Sequence, residues 1–121
     1  MFRIKNKIYS DAGYILVSDK KIGYQFEGNE SDFSERKIDL NNIDFRDNYI
    51  ILDGIVMLSA STYADLKRDM VHRRYTNDDQ LAIMLNRDSD EFSYNKMQEW
   101  RQFSGEVASA IINKKQELYE N

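Results

Sequence analysis

The sequence predicts an α+β domain: a small, mostly antiparallel β-sheet in the N-terminal half, followed by three α-helices. In residues 1–58 the apolar side chains alternate with polar ones or form short runs, which is typical of strands. In residues 59–121 they recur every three or four positions, which is the spacing of amphipathic helices. The chain of 121 residues contains no repeat or low-complexity segment, so we expect a single domain over residues 1–121.

The N-terminal half contains several short segments with strand character. Apolar and polar residues alternate over residues 2–8 and 22–26, and residues 14–17 form a compact aromatic and β-branched run. Residues 33–40 are predicted to form an edge strand, because their consecutive charged residues discourage further pairing.

An Asp53-Gly54 pair separates two apolar runs at residues 49–52 and 55–58. This pair is a favourable two-residue turn between the strands of a hairpin. The same pattern also fits one long strand with a bulge at Gly54. The sequence leaves both alternatives open.

The first two helices are predicted from capping residues and apolar spacing. Ser59 and Ser61 are candidate N-caps for a helix that runs to about Arg73. Thr76 is the predicted N-cap of the second helix, which covers about residues 77–86 and carries two acidic residues in its first turn.

The third helix is predicted to start near Phe92 or Tyr94 and to run towards Tyr119. A stripe of mostly apolar residues follows one face at 3-4 spacing: Met97, Trp100, Ser104, Val107, Ile111, Lys114 and Leu118. So wide an arc is either buried in its own domain or shared with a neighbour, and the small sheet favours partial sharing. The candidate partner-contact residues are Trp100, Phe103, Val107, Ile111 and Ile112. The stripe also predicts that Trp100 is largely buried, and we expect Met84 and Met97 to belong to the core.

Composition excludes several classes of function. The chain has no cysteine, which excludes disulfides and thiolate metal sites. A net charge of −4 and a pI near 5.0 argue against general binding of nucleic acid or anionic membranes. No apolar run approaches the roughly 20 residues that span a bilayer, and the N-terminus lacks the apolar segment of a secretory signal.

The residues that could carry chemistry have simpler interpretations. His72 is the single histidine, and no partner is evident that would make it a general base. Asp78 and Asp79 are adjacent in a helix, so their side chains diverge by about 100° and cannot act as a catalytic pair. Residues 86–91 resemble the start of a calcium loop, but the required glycine is replaced by Glu91. We therefore predict no catalytic, cofactor or metal site.

A basic cluster lies where the first helix is predicted to end. It consists of Lys67, Arg68, His72, Arg73 and Arg74. Such a cluster can contact phosphates, but stabilisation of the negative end of the helix dipole is the favoured interpretation in an acidic chain.

Residues 74–86 have the sequence RYTNDDQLAIMLN, and residues 94–101 have the sequence YNKMQEWR. This pattern resembles a segment found near the C-terminus of small tailed-bacteriophage proteins, and it is most similar to versions in crAss-like phages of gut Bacteroidales. The resemblance covers about residues 55–112.

The resemblance implies a virion structural or assembly protein, associated with the neck, tail or capsid. Such a protein is made in the bacterial host cytoplasm and acts by contacts with other virion proteins in many copies. It implies no enzymatic activity and no cofactor. The alternatives are a small phage adaptor that binds a host protein, and a small-ligand-binding domain that uses the tyrosine-rich sheet.

Overall fold

A computed structural model describes residues 3–4, 7–8, 12–17, 34–58 and 62–119 of the chain. Within these ranges the elements are β1 (Arg3–Ile4), β2 (Lys7–Ile8), β3 (Tyr14–Val17), β4 (Ser34–Lys37), β5 (Ile43–Phe45), β6 (Tyr49–Leu52), β7 (Ile55–Leu58), α1 (Tyr63–His72), α2 (Asn77–Leu85) and α3 (Glu91–Tyr119). The predicted α+β class, with antiparallel strands before three helices, is confirmed. The strand predicted at 22–26 lies outside the described residues.

The described strands pair in three groups rather than in one continuous sheet. β1 pairs with β2, β3 pairs with β4, and β5, β6 and β7 form a three-stranded meander, all antiparallel. The single strand predicted over residues 2–8 is wrong, because β1 and β2 pair with each other there.

The Asp53-Gly54 pair forms a tight hairpin between β6 and β7. Leu52 pairs directly with Ile55, so the loop contains two residues. Asp53 has φ 49° and Gly54 has φ 87°, and positive φ at both positions is the signature of a type I′ turn. The hairpin is therefore correct, and the bulged strand is not.

The Asp53 carboxylate also joins this hairpin to the preceding segment. Its Oδ2 accepts from the backbone N–H of Asp39 at 2.7 Å and from Arg36 at 2.5 Å, and its Oδ1 accepts from the amide of Asn42 at 3.0 Å. Burial raises the pKa of Asp53, but these hydrogen bonds and the Arg36 charge together hold that pKa below its ordinary value.

The inner face of the β5–β7 sheet packs against the helices. Ile50 and Met57 form one inward cross-strand pair, and Leu52 and Ile55 form the next. The helices complete one apolar cluster with Leu66, Met70, Val71, Tyr75, Ile83, Met97, Trp100, Phe103, Val107, Ala108 and Ile111. The cluster buries the predicted stripe of α3 from Met97 to Ile111, whereas Leu118 at the end of the stripe is 57% exposed.

The helix starts follow from local capping. Thr62 caps α1, and its hydroxyl accepts from the N–H of Asp65 at 3.2 Å. The predicted caps Ser59 and Ser61 are therefore wrong, because Thr62 places its hydroxyl three residues before that donor.

Thr76 caps α2, as predicted. Its hydroxyl accepts from the N–H of Asp79 at 3.1 Å, and the Asp79 carboxylate accepts from the N–H of Thr76 at 3.1 Å. This reciprocal capping box fixes the start of α2 at Asn77.

The longest helix, α3, begins after a similar arrangement at Asp90. The Asp90 side chain accepts from the N–H of Ser93 at 3.1 Å and from its hydroxyl at 2.7 Å. In the described part of the chain, no helix is both long enough and apolar enough to cross a membrane.

Candidate protein-interaction surfaces

The predicted partner-contact residues of α3 lie inside the domain. Trp100 and Val107 have no accessible surface, Phe103 and Ile111 are buried, and Ile112 is half-buried against the same cluster. α1 packs along this face of α3 and covers it. The first four cannot contact a partner in this conformation, so the wide apolar arc belongs to the core rather than to a shared surface.

Arg73 is buried immediately after α1, although the sequence placed it in a basic surface cluster. It donates a hydrogen bond to the carbonyl of Val56 in β7, which is an edge strand of the meander. Its guanidinium also lies 3.7 Å from the carboxylate of Asp69, which is buried too. Burial lowers the pKa of Arg73, and Asp69 offsets only part of that effect. Arg73 therefore protects an open sheet edge instead of facing solvent.

Arg74, the next residue after Arg73, is also buried. Its guanidinium lies 3.2 Å from the centroid of the Trp100 ring, and it donates to the carbonyl of Tyr14 in β3. Below this stack, the indole N–H of Trp100 donates to the carbonyl of Met70 at 3.1 Å. The stacked pair of Arg74 and Trp100 thus joins α1, α3 and β3.

The basic cluster is therefore divided by the fold. Arg73 and Arg74 point inward, whereas Lys67, Arg68 and His72 remain at least partly accessible. The His72 ring nitrogen Nε2 lies 3.0 Å from the side-chain oxygen of Asn77, which links the last turn of α1 to the first turn of α2.

The surface of α2 carries an exposed apolar face. Leu81 is 56% exposed, Met84 47% and Leu85 77%, whereas Ile83 is the buried residue of this helix. We refer to Leu81, Met84 and Leu85 as the α2 face. The expectation that Met84 lies in the core is wrong, because Ile83 occupies the inward position; Met97 is buried as expected.

A groove runs between the outer sides of α1 and α3. Its larger part encloses about 740 Å³ and is lined by Tyr63, Lys67, Gln98, Arg101, Gln102, Gly105, Glu106 and Ser109. A second part of about 320 Å³ extends towards α2 and shares Tyr63, Lys67 and Arg101 with the first. We call the two parts together the α1–α3 groove.

Gly105 shapes the wall of this groove. A Cβ at this position would lie 2.5 Å from the hydroxyl of Tyr63, so any larger residue would require the Tyr63 side chain to move. The groove could not be predicted from the sequence, because its residues come from helices that are far apart in the chain. The signal that could have indicated it is a glycine in the middle of a long helix, where it is unfavourable.

The residues that resemble a calcium loop have other roles. The side-chain amide of Asn86 donates to the carbonyl of Ala82 at 2.8 Å, and Asp90 accepts from Ser93 at the start of α3. Among the described residues, no group of three or more His, Cys, Asp or Glu side chains is arranged to hold a metal ion.

Comparison with protein-family models, curated proteins and solved structures finds no match to this chain.

Proposed function

We propose that the chain is a virion structural or assembly protein of a tailed bacteriophage, which acts through protein–protein contacts in a multi-copy assembly. It would be made in the bacterial host cytoplasm and would reside in the virion. In this proposal the protein carries out no turnover chemistry and requires no cofactor.

The observation that carries the proposal is the α2 face. Its three large apolar side chains are 47% to 77% exposed and are neighbours on one side of a helix. Contiguous exposed apolar patches on small proteins mark sites of interaction. We therefore propose that the partner surface lies on α2 instead of on the α3 stripe.

α2 does not need this face for its own stability. Ile83 anchors the helix in the core, and the capping box of Thr76 and Asp79 fixes its start. Exposed leucine and methionine side chains favour aggregation and do not stabilise the core. A neighbouring protein that covers them would explain their presence.

The resemblance to phage proteins supports the same proposal from the sequence side. Its most distinctive residues have defined places in the structure: Arg74 stacks on Trp100, and Thr76 and Asp79 form the capping box. In this chain, the residues of the pattern thus belong to one folded unit, in which the turn between α1 and α2 packs against α3.

A mass-spectrometric inventory of particles of the phage that encodes the chain tests the proposal. We expect the chain in purified virions at a copy number comparable to other multi-copy components. Its absence from particles would contradict the virion assignment and would favour the adaptor that binds a host protein.

A second experiment tests the role of the α2 face. A Leu81→Glu, Leu85→Glu double variant should fold normally, because both side chains are exposed, yet should no longer enter particles. Gln116→Glu also adds a carboxylate at an exposed position, but on α3 instead of α2; it is the control and should be incorporated like the wild type. Equal incorporation of both variants would show that the α2 face is not the contact surface.

A further inference from the structure

Two cations line the α1–α3 groove without an acidic partner in the described part of the chain. Lys67 on α1 and Arg101 on α3 are both half-buried, and neither forms an ion pair with any described residue. Arg68, which lines the part near α2, is already paired with Asp65. Half-buried cations have lost part of their hydration, so an incoming carboxylate would find strong hydrogen-bond donors there.

The remaining lining of the groove suits a polypeptide. Tyr63 is 44% exposed, and the Lys67 Nζ lies 5.9 Å from the centroid of its ring, so the aromatic and cationic groups form one surface. Gln98 and Gln102 provide amides that can pair with peptide groups. Tyrosine and arginine beside adaptable polar side chains are typical of protein–protein contacts.

The glycine that accommodates the groove also lowers the stability of α3. Glycine in a helix interior is less favourable than alanine by about 1 kcal/mol. The nearest groups to a Cβ at Gly105 belong to Tyr63 and Lys67, which are both groove residues. The glycine therefore accommodates the groove side chains and not the apolar core.

From these features we infer that the α1–α3 groove binds an acidic polypeptide segment of a neighbouring protein. The inference rests on the proposed function and names the chemistry of one partner. Nucleic acid fits less well, because it carries a charge on every nucleotide, whereas a polypeptide segment can present one or two carboxylates to Lys67 and Arg101. A phosphate backbone requires a denser set of cations than Lys67 and Arg101 provide.

The test uses the isolated full-length chain and three labelled probes: deca-glutamate, deca-glutamine and a ten-nucleotide oligothymidine. Fluorescence anisotropy is measured at an ionic strength of about 0.05 M, where charge contacts are weakly screened. We expect deca-glutamate to bind and deca-glutamine not to bind. Lys67→Glu and Arg101→Glu should each weaken deca-glutamate binding by at least about tenfold.

Lys115→Glu is the matched control. Lys115 is a half-buried lysine of α3 that does not line the groove, so the same change of charge should leave binding unchanged. Circular dichroism melting verifies that each variant is folded. If either reversal unfolds the chain, Lys67→Gln and Arg101→Gln replace it and should weaken binding by a smaller factor in the same direction.

Three results would overturn the inference. The wild type fails to bind deca-glutamate, the Lys115→Glu control loses as much affinity as the groove variants, or oligothymidine binds more tightly than deca-glutamate. None of these depends on the particle inventory. A chain found in virions but unable to bind deca-glutamate would refute the groove and leave the proposed function intact.

Discussion

Replacing Trp100 by alanine removes the largest fully buried side chain of the domain. A buried Trp→Ala change typically costs about 3–5 kcal/mol from lost burial and the resulting cavity. The structure adds two losses: the 3.1 Å hydrogen bond to Met70 and the stack on which Arg74 lies. A hydrogen bond contributes about 1 kcal/mol and a desolvated cation–π contact up to about 2 kcal/mol. We therefore expect a loss in the upper part of that range, about 4–5 kcal/mol.

Urea denaturation followed by far-ultraviolet circular dichroism measures this loss. Tryptophan fluorescence is unsuitable, because Trp100 is the only tryptophan of the chain. Phe92→Ala is the matched control: Phe92 lies on the same helix but is 58% exposed, so its removal should change stability by at most about 0.5 kcal/mol.

An intermediate variant separates the contributions at this position. Trp100→Phe retains an aromatic ring beneath Arg74 and loses the indole N–H, so it should cost about 1–2 kcal/mol. The carbonyl of Met70 still accepts from the N–H of Arg73 at 3.2 Å, which limits the penalty. A loss below about 1 kcal/mol for Trp100→Ala would refute the argument that this stack organises the core.

Thr76→Ala should lower stability by about 1 kcal/mol and Thr76→Asp should be nearly neutral, as measured by urea denaturation, because a carboxylate can replace the capping hydroxyl; equal losses would exclude capping as the cause. Asp53→Asn preserves the preference for the type I′ turn but removes the charge. Because the pKa of Asp53 is held below its ordinary 3.8, the stabilisation is present above that pH and is lost as the pH falls through the lower folded value. The stability difference between wild type and Asp53→Asn should therefore shrink in acid, and a difference independent of pH would contradict this. Gly105→Ala in a Tyr63→Ala background should raise the free energy of unfolding by about 1 kcal/mol, as measured by urea denaturation. In the wild type, displacement of Tyr63 should offset that gain. Identical effects in both backgrounds would show that Tyr63 does not constrain this position.

Features set by neighbours in the sequence could be predicted. The Asp53-Gly54 turn and the Thr76 cap each depend on residues within a few positions of one another. For the same reason the bounds of α2 and α3 agree with the prediction to within a few residues. Local hydrogen bonding and backbone preference decide these features, and both are visible in the sequence.

The sequence did not show which element covers an apolar helix face, or which apolar side chain of a helix points into the core. The α3 stripe indicated burial but not whether the covering element belonged to the same chain, and α1 covers it. In α2 the residues from Leu81 to Leu85 are all apolar, so spacing alone cannot select Ile83 as the inward side chain.

The buried arginines show the same limit for charged residues. Arg73 and Arg74 contact the carbonyls of Val56 and Tyr14, which are 17 and 60 positions away in the sequence. Only the tertiary arrangement brings these acceptors to the end of α1. The α1–α3 groove likewise depends on the packing of two helices, which places Lys67 and Arg101 in one site.

A structure of the assembled particle by electron cryomicroscopy tests the central claim most directly. We predict that each copy of the chain buries about 800 Å² or more against its neighbours and that Leu81, Met84 and Leu85 lie within that interface. A particle in which the α2 face remains open to solvent, or in which the chain is absent, would contradict the account.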